Sequence, residues 1–146
     1  MEFPTEQCRK ISSLIENGVA FHHAGLLSKQ RKIVEDLFKE NYLKIISSTP
    51  TLSAGVNLPA YRVIITSVHR YGALGMEKIS VREIKQMSGR AGRPKYDAEG
   101  ESIIIARNEL EVDELFENYI YADVEEIYSK VGVETLLRMH ILGLIA

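Results

Sequence analysis

Leu43-Lys44-Ile45-Ile46-Ser47, continued by Ser48-Thr49-Pro50-Thr51-Leu52-Ser53-Ala54-Gly55-Val56-Asn57-Leu58-Pro59-Ala60, is the stretch on which the reading of the fold turns. Its first five residues form a short apolar run of the kind that fills a buried strand, and the next thirteen are rich in hydroxyls and broken by Pro and Gly. A strand that feeds a polar loop of this sort is where open α/β sheets keep their functional groups. Upstream, Thr5 to Asn17 carries Cys8, Ile11, Leu14 and Ile15 at helical spacing, with Gly18 as the stop, and Val19-Ala20-Phe21-His22 reads as a strand. Ser28 is expected to cap a helix whose apolar stripe is Ile33, Val34, Leu37 and Phe38 and which ends near Asn41.

Downstream, Arg62 to Thr66 reads as a third strand and His69 to Ile79 as a loop or hairpin with two glycines. Ser80 and Glu83 have capping-box spacing and open a helix that runs to about Ser88. Ser102 to Ala106 is a further strand, and the remainder is expected to be helical: Glu109 to Ile120, Asp123 to Lys130 with a second capping box at Glu126, and Val133 to Leu144. Strands alternating with helical segments define an α/β class with a parallel sheet flanked by helices.

Composition excludes other classes. The 146 residues are 45% hydrophobic and 26% charged, the balance of an ordinary soluble domain. The single Cys8 cannot form an internal bridge, no apolar run approaches the length of a bilayer span, and Met1-Glu2-Phe3-Pro4 is no signal peptide. A reducing, soluble compartment is the expectation: cytoplasmic, or nuclear in a eukaryote. The net charge of −2 is divided unevenly, with 15 basic and 8 acidic residues up to Tyr96 and 3 basic and 12 acidic from Asp97 onward. The basic part suits a surface that faces phosphates, although ordinary solvated helix faces would have the same composition.

Gln86-Met87-Ser88-Gly89-Arg90-Ala91-Gly92-Arg93-Pro94 is the most informative cluster. Two arginines three apart are expected on one side of a helical turn, with glycines that permit close approach, and guanidinium forks match phosphate oxygens. A phosphoryl clamp and a solvated turn both satisfy that spacing.

Taken with FHHAGL (Phe21 to Leu26) and STPTLSAGVNLPA (Ser48 to Ala60), QMSGRAGRP resembles, in order and separation, the late motifs of superfamily 2 helicases of the Ski-like branch. The nearest likeness is to archaeal Hjm-type DNA repair helicases and their animal HelQ relatives, and it covers the chain from about Gly18 to the end. The resemblance implies a RecA-like fold of the P-loop NTPase type, the second of two domains that sandwich ATP and grip one strand of nucleic acid. The phosphate loop and the acidic metal-binding motif belong to the first domain, so ATP and Mg2+ would be held mainly there and this fragment alone is expected to be inactive. Residues 1–130 are read as the second RecA-like domain lacking its first strand, which is not found before Thr5, and 131–146 as the start of a winged-helix domain or a terminal packing helix. Either the sequence starts inside the domain or the gene product is truncated.

Site residues follow from the resemblance. Arg93 is similar to the arginine finger that reaches the γ-phosphate across the cleft, Arg90 to its supporting arginine, and Gln86 to a nucleotide sensor, with Gly89, Gly55 and Asn57 at the nucleotide. Thr49 and Thr51, with His23 and Gly25, would contact strand phosphates. Turn chemistry alone also accounts for Thr49 and Asn57, and His22 reads equally well as a packed core residue. A metal site is a poor reading of adjacent histidines without a third ligand. Tyr71, Leu74 and Met76 fall where Hjm-type relatives carry a strand-separating hairpin, although an ordinary surface hairpin fits the same glycine-rich segment. The function implied is the C-terminal RecA-like domain of a 3′ to 5′ DNA helicase in repair or stalled-fork processing, a monomer acting on single-stranded or forked DNA with the first RecA-like domain as partner and no membrane. A Ski-like RNA helicase, a remodelling translocase and a non-catalytic binding module are the alternatives. The finger reading requires the arginines to lie on the edge that carries the threonine loop.

Overall fold

The computed structural model describes residues 5–50, 58–72, 75–93, 97–126, 137–138 and 141–142. Helix α1 (Glu6–Glu16) is capped by the Thr5 side chain, which accepts from the Cys8 N–H, and it ends before Gly18, whose φ of 73° turns the chain into strand β1 (Val19–His22). Helix α2 is Ser28–Lys39 and strand β2 is Ile45–Ser48. Strand β3 (Arg62–Ile65) leads to a hairpin of β4 (His69–Gly72) and β5 (Gly75–Lys78), then to α3 (Val81–Ser88) and strand β6 (Glu101–Ile104). Helix α4 (Glu109–Leu115) widens into a π-helical turn at Phe116–Ile120.

Two parallel pairs form the sheet framework, β1 with β2 and β3 with β6, and the hairpin strands pair antiparallel with Tyr71 opposite Met76. Each parallel pair has its own core. Under β1 and β2 lie Ile11, Ala20, Leu26, Val34 and Leu43; under β3 and β6 lie Ile65, Val68, Ile79, Ile84, Leu115 and Tyr119. The α/β class is present, with parallel strand pairs and helices in the order read from the sequence as far as Ile120.

Three local expectations are corrected. Ser28 is the first helical residue of α2 and not its cap: Leu27 takes that place, and its N–H donates to the Gln30 side chain at 2.9 Å. Ile33 is 53% exposed, because the inward stripe runs through Val34, Leu37 and Phe38 and leaves the neighbouring position about 100° away. Residues 123–126 form no helix, where the Asp123 capping box is expected to open one. The Glu125 carboxylate caps α3 instead, accepting from the N–H groups of Val81 (2.6 Å) and Arg82 (3.0 Å), while the Glu125 and Glu126 carbonyls accept from the Arg82 guanidinium. Those partners occupy groups that a helix would have used. Residues 127–136 lie outside the described set; Leu137, Arg138, Ile141 and Leu142 are helical and exposed.

Candidate nucleotide and nucleic-acid interface

The parallel register of β1 and β2 sets His22 beside Ser48, so both strands deliver their following residues to one edge. There the Thr49 N–H donates to the His22 carbonyl at 3.3 Å, and Thr49 itself is exposed. His22 is buried, and its Nε2 lies 3.1 Å from Oε1 of Glu35 on α2. His23 turns outward. Its ring stacks on Phe21 at 5.5 Å between centroids, and its Nδ1 accepts the Gly25 N–H at 3.1 Å. That bond fixes Nδ1 as the acceptor, so the neutral ring carries its proton on Nε2, the nitrogen suited to donate to an external oxygen. The structure thus brings Thr49, His23 and Gly25 together; Thr51, Gly55 and Asn57 lie outside the described residues.

The arginine cluster is built from α3. Ser80 caps that helix by accepting the Glu83 N–H at 3.2 Å, and Ile84 holds its inner face in the core. Gln86 and Gly89 are exposed, Gly89 at the helix end. The expected single helical turn for the two arginines is not kept. Arg90 continues the final turn, with its N–H on the Met87 carbonyl, whereas Gly92 has a φ of 87° and redirects the chain before Arg93. A side chain at Gly92 would be strained in that left-handed conformation, and a Cβ on Gly100 would overlap the Gly92 nitrogen. The downstream end of the threonine loop is stitched to this turn. Ala60 donates to the Arg90 carbonyl at 3.0 Å, and the Gly92 N–H donates to the Ala60 carbonyl at 2.7 Å.

Arg93 borders a cleft of about 540 Å³ together with Asn41, Lys39, Lys44 and the run Leu58 to Tyr61. Its Nε and Nη2 donate to the two carboxylate oxygens of Asp97 at 2.8 and 3.0 Å, its backbone N–H donates to Asp97 Oδ2 at 2.9 Å, and its Nη1 donates to Asn41 Oδ1 at 3.2 Å. The guanidinium holds the Asp97 carboxyl below its ordinary range. Lys44 and Asn41 precede β2 and Thr49 follows it, so cleft and threonine edge are separated along the strand by about 16 Å at ~3.3 Å per residue. The arginines therefore share an edge with the far end of the threonine loop, at Leu58 to Ala60, and not with Thr49 itself.

The hairpin projects Tyr71 and Met76 side by side, 84% and 60% exposed; Leu74 lies outside the described residues. The sequence reading missed Asp97, Asn41 and Glu35. The spacing of Arg93 and Asp97, four apart, was the one available signal, whereas Asn41 and Glu35 become partners only through tertiary packing. Among the described residues no group of three or more His, Cys, Asp and Glu side chains is arranged to hold a metal, and no helix is long and apolar enough to cross a membrane.

Residues 4–95 match the family described as the helicase conserved C-terminal domain. The chain is 53% identical over 143 residues to the ATP-dependent DNA helicase Hel308 of Methanocella arvoryzae, covering 97% of this chain and 19% of that protein. It is 50% identical over 146 residues to the Hel308 of Methanococcus vannielii, covering 100% and 19%, and 48% identical over 145 residues to that of Pyrococcus horikoshii, covering 99% and 20%. The class is therefore defined: the chain belongs to the family of helicase C-terminal domains, with the RecA-like fold of that family. Within superfamily 2 its place is the Hel308, or Hjm-type, branch of archaeal helicases. The chain spans about one fifth of the length of these curated relatives.

Proposed function

We propose that this chain is the second RecA-like domain of an ATP-dependent DNA helicase that moves 3′ to 5′ on single-stranded or forked DNA. The observation that carries the reading is the stitching of Ala60 to the Arg90–Gly92 turn, because it joins the end of the threonine loop to the arginine cluster at one cationic cleft. A γ-phosphate brought to that cleft by the first RecA-like domain would meet Arg93, with Arg90 and Gln86 nearby. An arginine there neutralises charge that grows on the phosphoryl oxygens in the transition state and is worth roughly a thousandfold or more in rate. At the other end of the loop, Thr49, His23 and Gly25 offer a hydroxyl, an imidazole N–H and exposed backbone to strand phosphates, contacts that grip without reading sequence. A loop with the nucleotide at one end and the strand at the other can convert cleft closure into a step along the backbone.

In this reading Mg2+ is held mainly by the first RecA-like domain, with the acidic metal-binding motif. ATP would likewise be held mainly by that domain, and the enzyme is read as a monomer of the cytoplasm. Residues 1–130 form the motor lobe in this reading, and 131–146 begin a winged-helix domain or pack as a terminal helix. Tyr71 and Met76, exposed side by side on the hairpin, would stack on a base pair as it opens.

The test is DNA-stimulated ATP hydrolysis by the complete enzyme carrying Arg93→Ala. A loss of about a thousandfold in kcat supports the finger, and near-normal turnover removes it.

A further inference from the structure

We infer that Asp97 is the positioning residue for Arg93, holding the guanidinium so that its Nη1 corner faces the cleft. The inference rests on the reading of Arg93 as the group that meets the phosphoryl oxygens.

Arginine has rotamer freedom in a long side chain, and a finger gains most when its geometry is fixed before the substrate arrives. A guanidinium offers five N–H donors in a planar fork. Asp97 accepts from Nε and Nη2, one oxygen each, which is the bidentate arrangement that sets both the direction and the plane of the group. The same carboxylate accepts the Arg93 backbone N–H, and the Asp97 N–H donates back to the Arg93 carbonyl at 2.9 Å, so main chain and side chain are fixed by one partner. With Nε and Nη2 turned to Asp97, Nη1 points to Asn41 on the cleft wall, beside Lys39 and Lys44.

The carboxylate is the more buried member of the pair, its side chain 9% exposed against 35% for Arg93. Behind it, Gly100 packs so closely on Gly92 that a Cβ would overlap the backbone there. Asn41 takes a left-handed φ of 63° after α2, and its carbonyl accepts from the Lys44 ammonium at 2.7 Å. Arg93 is thus held on one side by a carboxylate from its own loop and on the other by an amide from the loop before β2.

The experiment uses the complete enzyme with Arg93→Ala, Asp97→Asn, Asp97→Glu and the double variant Arg93→Ala/Asp97→Asn, measuring kcat and KM for DNA-stimulated ATP hydrolysis together with affinity for single-stranded DNA. Asp97→Asn keeps the shape and one acceptor oxygen but loses the charged fork. It should lower kcat roughly ten- to a hundredfold with KM for ATP and DNA affinity nearly unchanged, because orientation and not binding is lost. Asp97→Glu should recover part of that loss, and the double variant should be no slower than Arg93→Ala. If Arg93→Ala cripples turnover while Asp97→Asn stays within twofold of the parent, the positioning role fails and the finger stands. If the two losses multiply in the double variant, Asp97 acts through something other than Arg93, and the inference fails. If Arg93→Ala turns over normally, the finger reading falls and the positioning role with it.

Discussion

Arg70, on the first strand of the hairpin, donates from Nη1 to Oε1 of Glu83, in the first turn of α3, at 2.7 Å. Glu83 also lies within reach of the Ser80 hydroxyl, at 3.3 Å, so the residue that caps α3 also supports the carboxylate that receives the hairpin. The hairpin is attached to one end of α3 and the arginine turn leaves from the other, about 12 Å away at 1.5 Å per residue. The helix thus links the hairpin to the element that carries Arg90 and Arg93.

Arg70→Ala should therefore separate the two activities of the complete enzyme. Both side chains are partly exposed, so the ion pair contributes at most about 1 kcal/mol to stability. Denaturant unfolding should barely move and ATP hydrolysis should remain, while unwinding of a forked duplex falls. Unwinding that keeps pace with hydrolysis in the variant would show that the pair plays no part in directing the hairpin.

Tyr71→Ala, and the same change at Met76, removes an exposed side chain from one face of the hairpin without touching either core. Loss of a stacked aromatic costs about 1–3 kcal/mol where it meets a base. Fork unwinding should drop several-fold with ATPase preserved. Equal loss of both would instead indicate that the hairpin had failed to form.

Glu35→Ala addresses the histidine that does not face solvent. His22 is buried, its Nδ1 has no hydrogen-bond partner among the described residues, and Glu35 supplies its Nε2 contact. Removing the carboxylate strands a buried ring nitrogen, at a cost of about 1–3 kcal/mol. A urea midpoint unchanged by Glu35→Ala would mean that the pair is not a structural contact at all.

The contrast between His22 and His23 illustrates what the sequence could and could not reveal. His22 ends β1 on its buried face and His23 follows the strand, so the inward direction of His22 was legible in principle from the pleat. The positions of the strands along the chain and the α3 cap at Ser80 followed from local pattern, because caps and periodicity are short-range properties. Glu125 did not. It lies between Asp123 and Glu126, whose spacing advertised a helix, but the helix N-terminus it serves is 43 residues earlier, and only packing could assign it. Arg93 lay between the two cases, since its partner Asp97 is local while the Asn41 contact crosses 52 residues.

The pH dependence of the Arg93–Asp97 pair has a definite sign. The guanidinium lowers the Asp97 carboxyl below its ordinary value of 3.8, so the folded form binds its proton less readily than the unfolded chain. Stability from the pair is then fully present above that value and is lost as pH falls through the folded one. The difference in urea midpoint between the parent chain and Asp97→Asn should be constant from about pH 5 to 8 and should shrink as pH falls below 3.8 through the lowered folded value. A difference that instead appeared between pH 6 and 7 would assign the effect to a histidine.

Gly100→Ala tests the framework that carries both arginines. A Cβ at Gly100 would run into the Gly92 nitrogen and the Ala91 carbonyl carbon, which are backbone atoms and cannot rotate aside as a side chain would. Gly92 must move, and its N–H is the one that donates to the Ala60 carbonyl. The change should break the stitch between the threonine loop and the arginine turn and lower ATP hydrolysis by at least tenfold, a displacement of about 1 Å being enough for a loss of that order. Serine-sized substitutions should behave alike, because the overlap arises at the first carbon. If Gly100→Ala instead folded and hydrolysed ATP at the parental rate, the close packing of Gly92 on Gly100 would not be what holds Arg93 at the cleft.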